Sequence, residues 1–408
     1  TMRLLFLSVM FPFPATNGRH IRSMSLIKAL AGAGHDVHLL SYGSAKDVTC
    51  SAVSDLCRSV TIVNRTESSS LPLQMVNRVR FLGSPEPYGS RRFYSEEMET
   101  AVRRALGEHS PSAVICDTID AAINVPPEAT VPIILNQHNV EHLILERYLA
   151  LERNPLRKWY MQMECGKLRN WENHVCAKSR LVLVCSEHDR QVTQQLCGHS
   201  SVVVVPNVVE LDDYQSTAQE DPLRVVYAGG MDWYPNRDAV EFFAEKIFPE
   251  IQRQIPGVTF VVAGRNPPKS FVNRFVSIRN MRFTGTVSDM QPELVAAAVC
   301  VVPLRIGSGT RLKILEAAAL GKPIVSTTLG AEGLAFTDGL EIILKDKPAE
   351  FAAAVEALLR NADRRRILGG AARRRVEQEY SVTALRSAAQ GMFLHLRSPV
   401  SAVPVTVA

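Results

Sequence analysis

Short apolar runs alternate with amphipathic stretches along almost the whole chain. In the first half the runs are Leu4–Val9, broken only by Ser8, then Val37–Leu40, Val60–Val63, Ala113–Cys116, Ile133–Leu135, Leu181–Cys185 and Val202–Val205. Runs that are apolar at nearly every position suit strands buried on both faces. The stretches between them, such as Ile21–Ala31 with Ile21, Met24, Leu26, Ile27 and Leu30, suit helices covering a parallel sheet. After a polar, acidic stretch around Glu210 to Pro222 the rhythm restarts, with runs at Val225–Tyr227, Val258–Ala263, Met281–Phe283, Val299–Val302, Ile324–Ser326 and Ile342–Leu344. The pattern predicts two α/β domains, the second beginning near Pro206. It is followed by helices over Ala349–Arg360, Arg364–Gln378 and Val382–Leu396 and by a frayed tail, Ser398–Ala408.

Length and composition agree with this division. A chain of 408 residues with 46% apolar and 21% charged positions exceeds the roughly 250–300 residues that one core serves. The net charge of +5, from 46 Lys and Arg against 41 Asp and Glu, is small and evenly spread, which counts against a dedicated nucleic-acid binder. No apolar run reaches the ~18–20 residues that cross a bilayer, and Leu4–Val9 lacks the flanks of a signal peptide, so the expected compartment is the cytoplasm. The eight cysteines show no C-x-x-C spacing and read as reduced thiols without a zinc site. Thr1 ahead of Met2 reads as an addition to the natural start and is left aside.

The richest segment for chemistry is Gly307-Ser308-Gly309-Thr310-Arg311-Leu312-Lys313-Ile314-Leu315-Glu316, a glycine-rich turn between the strand Val299–Pro303 and a helix expected over Arg311–Leu320. Gly307 and Gly309 allow close backbone approach to a ligand, and Ser308 or Thr310 is placed to cap the helix, whose free amides form an anion site. Arg311 and Lys313 fall in the first turn, where the helix dipole disfavours cations; a bound phosphate or pyrophosphate would reverse that term. On this reading, deleting the Arg311 charge should not destabilise the unliganded protein. Glu316, one turn further on, is placed to accept from ribose hydroxyls or to pair with Lys313.

Three further stretches follow strands. Ala228-Gly229-Gly230-Met231-Asp232-Trp233-Tyr234-Pro235-Asn236 precedes a helix over Asp238–Phe243 but makes no full G-x-G-x-x-G, which counts against a nicotinamide or flavin cofactor. Asn17-Gly18-Arg19 stands at the matching place in the first domain. Asn136-Gln137-His138-Asn139-Val140-Glu141-His142 puts His138 beyond a strand's carboxyl end, where ligands of open α/β sheets bind. His138 and His142 at i, i+4 also suggest a metal pair, but the sequence supplies no third ligand. The Pro- and Gly-broken stretch Thr66 to Ser95 reads as a long surface loop with short helices, either shaping an acceptor site or forming a disordered flap. The clusters Arg364, Arg365, Arg366 and Arg373, Arg374, Arg375 read as a solvated helix face, with contact to an anionic membrane as the sharper alternative.

Taken together these pieces resemble retaining glycosyltransferases of family 4, over nearly the whole chain. Leu4–Val9 with Asn17-Gly18-Arg19, Ser186 with Asp189, Val205-Pro206-Asn207, Tyr227-Ala228-Gly229-Gly230, Val261-Val262-Ala263-Gly264 and Phe283-Thr284-Gly285-Thr286-Val287 fall in the family's order. The resemblance implies the GT-B architecture: two Rossmann-like domains with parallel sheets facing across a cleft. The acceptor would bind in 2–205, the nucleotide-sugar donor in 206–381, and a helix over 382–397 would cross back.

Glu316 resembles the second of the family's two glutamates spaced by seven, which bonds the nucleotide ribose. Position 308, where the first would contact the donor sugar, is Ser308. Near Gly230 and Asn236 many members carry an Arg and a Lys for the pyrophosphate; Arg311 and Lys313 are expected to take over that charge. Gly18 resembles the glycine facing the donor phosphate, Val287 the residue whose backbone reads the base, and His138 the histidine near the reacting sugar. The resemblance and the reading of the glycine-rich turn together give His138, Arg311 and Lys313 as expected catalytic residues and Gly18, Gly230, Val287, Ser308, Gly309, Thr310 and Glu316 as the expected donor-binding set.

The expected activity is retaining transfer of a sugar from a nucleoside-diphosphate donor to a hydroxyl of a glycan, lipid-linked or small-molecule acceptor. The nucleotide-sugar is a substrate, no cofactor is implied, and no D-x-D pair suggests an obligatory metal. No nucleic-acid partner is expected, and any membrane contact would be peripheral. The rival readings are a nucleotide-sugar epimerase of the same fold and a non-catalytic sugar-nucleotide-binding partner.

Overall fold

All thirteen strands expected from the apolar runs form, and every pair is parallel. The computed structural model describes residues 1–65, 71–198, 201–215, 219–287 and 289–397; Thr66–Ser70 of the broken stretch and the tail Ser398–Ala408 lie outside them. The described chain divides into two compact units. One comprises Thr1–His138, Gly166–Val205 and the chain from Leu385; the other comprises Asn139–Cys165 and Pro206–Ala384.

The first unit holds a seven-stranded sheet in the order β3-β2-β1-β4-β5-β6-β7. Its strands are β1 (Arg3–Ser8), β2 (Asp36–Gly43), β3 (Ser59–Asn64), β4 (Ala113–Asp117), β5 (Ile133–Asn136), β6 (Leu181–Val184) and β7 (Val202–Val204). Leu4, Phe6, Val114, Ile115, Leu135 and Val182 are buried, as the unbroken apolar runs require.

The second unit holds a six-stranded sheet in the order β10-β9-β8-β11-β12-β13. These are β8 (Arg224–Ala228), β9 (Thr259–Ala263), β10 (Met281–Phe283), β11 (Val299–Val302), β12 (Ile324–Ser326) and β13 (Ile343–Leu344). Phe243, Phe248, Phe260 and Phe351 fill its core, with the rings of Phe243 and Phe260 4.5 Å apart.

Both orders reverse direction once, between β1 and β4 in the first sheet and between β8 and β11 in the second. At such a switch point the two flanking connections leave in opposite directions and open a crevice beyond the strands' carboxyl ends. The segments singled out from the sequence lead away from these ends: Gly18 follows β1, Gly229 follows β8 and Gly307 follows β11.

One expectation is met and one needs correction. The stretch Thr66 to Ser95 holds the short helices expected of it, Leu71–Arg80 and Tyr88–Arg91. Pro72 is the second residue of the longer helix, where its missing N–H leaves no bond unmade. The basic helix, Ala362–Glu379, is less solvated than its composition suggests. Arg365 is buried against Glu220 and the Leu358 and Leu359 carbonyls, Arg373 donates to the Ala319 carbonyl, and Arg375 pairs with Glu341. Among the described residues no helix is long and apolar enough to cross a membrane.

Candidate functional site

In the first unit the polar side chains beyond the sheet converge on Asp117, the last residue of β4. Its carboxylate accepts from Ser8 (3.0 Å), Ser23 (2.6 Å) and Asn136 (2.8 Å), and His138 Nε2 lies 2.8 Å from Oδ1. Arg22 donates to Asn136 Oδ1 and to the Val205 carbonyl, and the Cys185 thiol donates to the His138 carbonyl.

Burial alone would push the Asp117 carboxyl up; the His138 charge and hydrogen bonds from His138, Ser23 and Asn136 hold it at about 2. Burial holds the imidazole of His138 below its ordinary value despite Asp117. At neutral pH the pair is therefore carboxylate and neutral imidazole. Facing a carboxylate, Nε2 must carry the proton, an assignment made from the hydrogen-bond network. Nδ1 is then an acceptor, and among the described residues it is buried with no hydrogen-bond partner. Thr118, directly after Asp117, has φ of 85°, a strained backbone for a β-branched residue and the kind that collects at functional sites.

Gly18 opens the helix Gly18–Gly32. Asn17 caps it by accepting from the His20 amide at 3.0 Å, and Arg19 lies 3.8 Å from Asp120.

In the second unit the glycine-rich loop differs in detail from the expectation. The helix after it is Leu312–Ala319, so Arg311 is the residue before its first turn, in extended conformation. The Arg311 guanidinium turns back and donates to the carbonyls of Ser308 and Gly309. A Cβ on Gly307 would stand 2.7 Å from that guanidinium, and Gly309 has φ of 71°, so the turn needs both glycines. Neither expected hydroxyl caps the helix. Ser308 Oγ accepts from the Val140 amide at 3.1 Å, and Thr310 Oγ1 from Asn207 Nδ2 at 2.7 Å. The helix Glu141–Leu151 is held on this loop through Arg147, which donates to the Gly307 carbonyl and forms two 2.7 Å bonds with Glu332. These contacts explain why Asn139–Cys165 belongs to the second unit.

Lys313 runs from the first helical turn to the end of β8. Its ammonium donates to the Tyr227 hydroxyl (2.7 Å) and to Asn236 Oδ1 (2.9 Å), 4.1 Å from the Tyr227 ring centre. A Cβ on Gly229 would stand 2.8 Å from this ammonium, and one on Gly264 would collide with the Gly229 carbonyl. The two glycines therefore let β8, β9 and the lysine meet. Burial, then the neighbouring Arg311 charge, lower Lys313 to about 7 against the pull of Glu316. Asn236 thus receives a cation from a distant helix. Gly230 lies beside Arg265, which pairs with Asp232 at 3.3 Å.

Burial raises the Glu316 carboxyl, and Tyr214 donates to its Oε1 at 3.3 Å. Val287 is half-buried on the loop after β10, beside Thr286, whose hydroxyl accepts from the Asn266 amide.

The first unit thus brings together Asp117 and His138, with Gly18 at the same sheet edge; the second brings together Gly230, Ser308, Gly309, Thr310, Arg311, Lys313 and Glu316 around the ends of β8 and β11. Sequence reasoning missed Asp117, Ser23, Arg147, Tyr214 and Arg265. Only Asp117 carried a usable signal, a lone carboxylate at the end of an apolar run.

Residues 17–213 match Glycosyltransferase Family 4, and residues 222–361 match Glycosyl transferases group 1. The chain belongs to these glycosyltransferases and has the GT-B fold. It is 23% identical to a glycogen synthase of Mycobacterium tuberculosis, covering 96% of this chain and 94% of that one. Sucrose-phosphate synthase from Thermosynechococcus elongatus superposes with a TM-score of 0.72 at 16% identity, covering 97% and 99% of the two chains. Anabaena HepE, solved in complex with UDP-glucose, superposes with a TM-score of 0.64 at 14% identity, again over 97% and 99%.

Proposed function

We propose that this protein transfers a sugar from a nucleoside-diphosphate donor held by the second unit to an acceptor hydroxyl at the first, with retention of anomeric configuration. The observation that carries the reading is the Lys313 ammonium, poised over Gly229 at the second sheet's switch point with Glu316 one turn further along the same helix. A diphosphate lying there would meet the cation and the loop backbone, and a ribose would meet the carboxylate. Because HepE was solved with UDP-glucose, a uridine diphosphate sugar is the first donor to test.

In this mechanism the departing diphosphate accepts the acceptor's proton, so the chain supplies orientation and charge stabilisation rather than a separate base. Lys313 neutralises the leaving group, and neutral His138 accepts a hydrogen bond from a sugar hydroxyl through Nδ1. No divalent metal takes part. Peripheral membrane contact, where the acceptor requires it, would use the first unit.

The test is proton NMR of the product formed from an α-linked UDP-sugar with an acceptor panel. An α-linked product supports the reading; a β-linked one removes retention. Epimerised donor in the absence of any acceptor would favour the epimerase instead.

A further inference from the structure

Glu316 is a half-buried carboxylate in the helix Leu312–Ala319, and the cation one turn before it does not hold it. The Lys313 ammonium is turned to Tyr227 and Asn236, and among the described residues Glu316 forms no ion pair. Among the same residues its one side-chain donor is Tyr214, whose hydroxyl lies 3.3 Å from Oε1. Burial, and next the Glu316 charge, raise the Tyr214 phenol, so it keeps its proton and donates.

Tyr214 is itself fixed from two sides. It follows the short helical turn Leu211–Asp213, with its amide on the Leu211 carbonyl at 3.0 Å, and Gln291 donates to the Asp213 carbonyl at 2.6 Å. Arg373, from the basic helix Ala362–Glu379, places Nη1 2.7 Å from the Ala319 carbonyl and 3.3 Å from the Tyr214 carbonyl. Ala319 ends the helix that carries Glu316, where carbonyls lack partners within the helix. One arginine thus ties the tyrosine's backbone to the glutamate's helix, and its own Nε is held by Glu377 at 2.9 Å. All of these residues lie in the second unit.

A glutamate side chain has several rotatable bonds, and ordering them when a ligand arrives weakens binding. A phenol on Oε1 removes part of that freedom beforehand and leaves Oε2 to accept. We propose that Tyr214 is a positioning residue: it holds Oε1 of Glu316 so that Oε2 accepts from a ribose hydroxyl, and it thereby sets how strongly the protein prefers a ribonucleotide to a deoxyribonucleotide. Arg373 keeps the tyrosine and the glutamate's helix together. The inference rests on the donor reading above and names what makes its ribose site selective. A site built to bond a hydroxyl rejects the analogue that lacks it, because its own polar group is then left unpaired.

The test is calorimetric titration of UDP, GDP and ADP into the full chain, and then of the 2′-deoxy and 3′-deoxy counterparts of whichever binds. The wild type, Tyr214→Phe, Glu316→Ala and the double variant Tyr214→Phe/Glu316→Ala are compared, with Arg373→Gln as a second way to loosen the pair. The wild type should bind one deoxy analogue about tenfold or more weaker than the parent nucleotide. In Tyr214→Phe that gap should shrink by about threefold or more, because the parent loses affinity and the analogue does not. Arg373→Gln should shrink it in part. In Glu316→Ala the gap should be gone, and removing the Tyr214 hydroxyl as well should change nothing further, the non-additivity of a residue that acts through another.

A merely structural tyrosine would weaken parent and analogue alike. An unchanged gap in Tyr214→Phe, or a wild type that binds the nucleotide but distinguishes neither deoxy analogue, overturns the inference and leaves the donor reading standing. Tighter parent binding by Tyr214→Phe also overturns it, since the hydroxyl would then compete with the ribose. A wild type that binds none of the three nucleotides removes the donor reading, and the inference falls with it.

Discussion

His138 Nε2 stands 2.8 Å from Asp117 Oδ1, a carboxylate that three other side chains hold in place. The contact fixes the imidazole's orientation and tautomer and turns Nδ1 into a buried acceptor. Asp117→Asn keeps the shape but can offer an N–H to Nε2, which would put the proton on Nδ1. We expect turnover to fall on the order of ten- to a hundredfold, as for other orienting partners, with nucleotide affinity nearly unchanged. His138→Ala should show the same split. Steady-state kinetics beside calorimetric UDP binding checks both; unchanged turnover at saturating substrates removes His138 from the reaction.

Acid should inactivate through the same pair. The His138 imidazole is held below its ordinary 6.5, so the folded protein keeps it neutral while an unfolded chain would already protonate. Stability from this group is full above about 6.5 and is lost as pH falls, and kcat should fall in step once Nδ1 takes a proton. A kcat independent of pH down to the acid unfolding limit would contradict this.

The Arg311 guanidinium bonds carbonyls of its own loop, which reverses the outcome expected from helix-dipole reasoning. Arg311→Ala should destabilise the unliganded protein by about 1–3 kcal/mol, because buried carbonyls lose their donor. Melting of the apo variant measures this. An unchanged or raised Tm would restore the dipole account.

The sequence displayed all thirteen strands because parallel strands buried on both faces leave unbroken apolar runs that need no knowledge of neighbours. It also displayed Gly307, Gly309 and Lys313, which share one turn. It could not display the union of Tyr214 with Glu316 or of Arg147 with Glu332, since those partners are 102 and 185 positions apart and nothing local marks them. Arg311 was misplaced for a related reason. A helix start is ambiguous by a residue or two, and only the folded loop shows that the guanidinium has carbonyls to bind.

Activity should survive EDTA if, as proposed, Lys313 and the loop backbone meet the leaving diphosphate. Loss of turnover that added magnesium or manganese restores would defeat this expectation.

Lys313 bears the central claim, that the second unit holds a nucleoside-diphosphate donor. Its ammonium is lowered to about 7 from 10.5, so between these values the unfolded chain holds a proton that the folded chain lacks, and stability from this group rises with pH across that window. A bound diphosphate favours the charged form, so binding should take up a proton above about pH 7 and weaken as pH rises. The most direct measurement is calorimetric titration of UDP, GDP and ADP into the wild type and Lys313→Ala at pH 7 and 8.5, in two buffers of different ionisation enthalpy. The account predicts one nucleotide bound per chain, proton uptake in the wild type alone, and affinity about ten- to a hundredfold weaker in the variant. Affinity within about twofold of the wild type, with the same proton uptake, would contradict it.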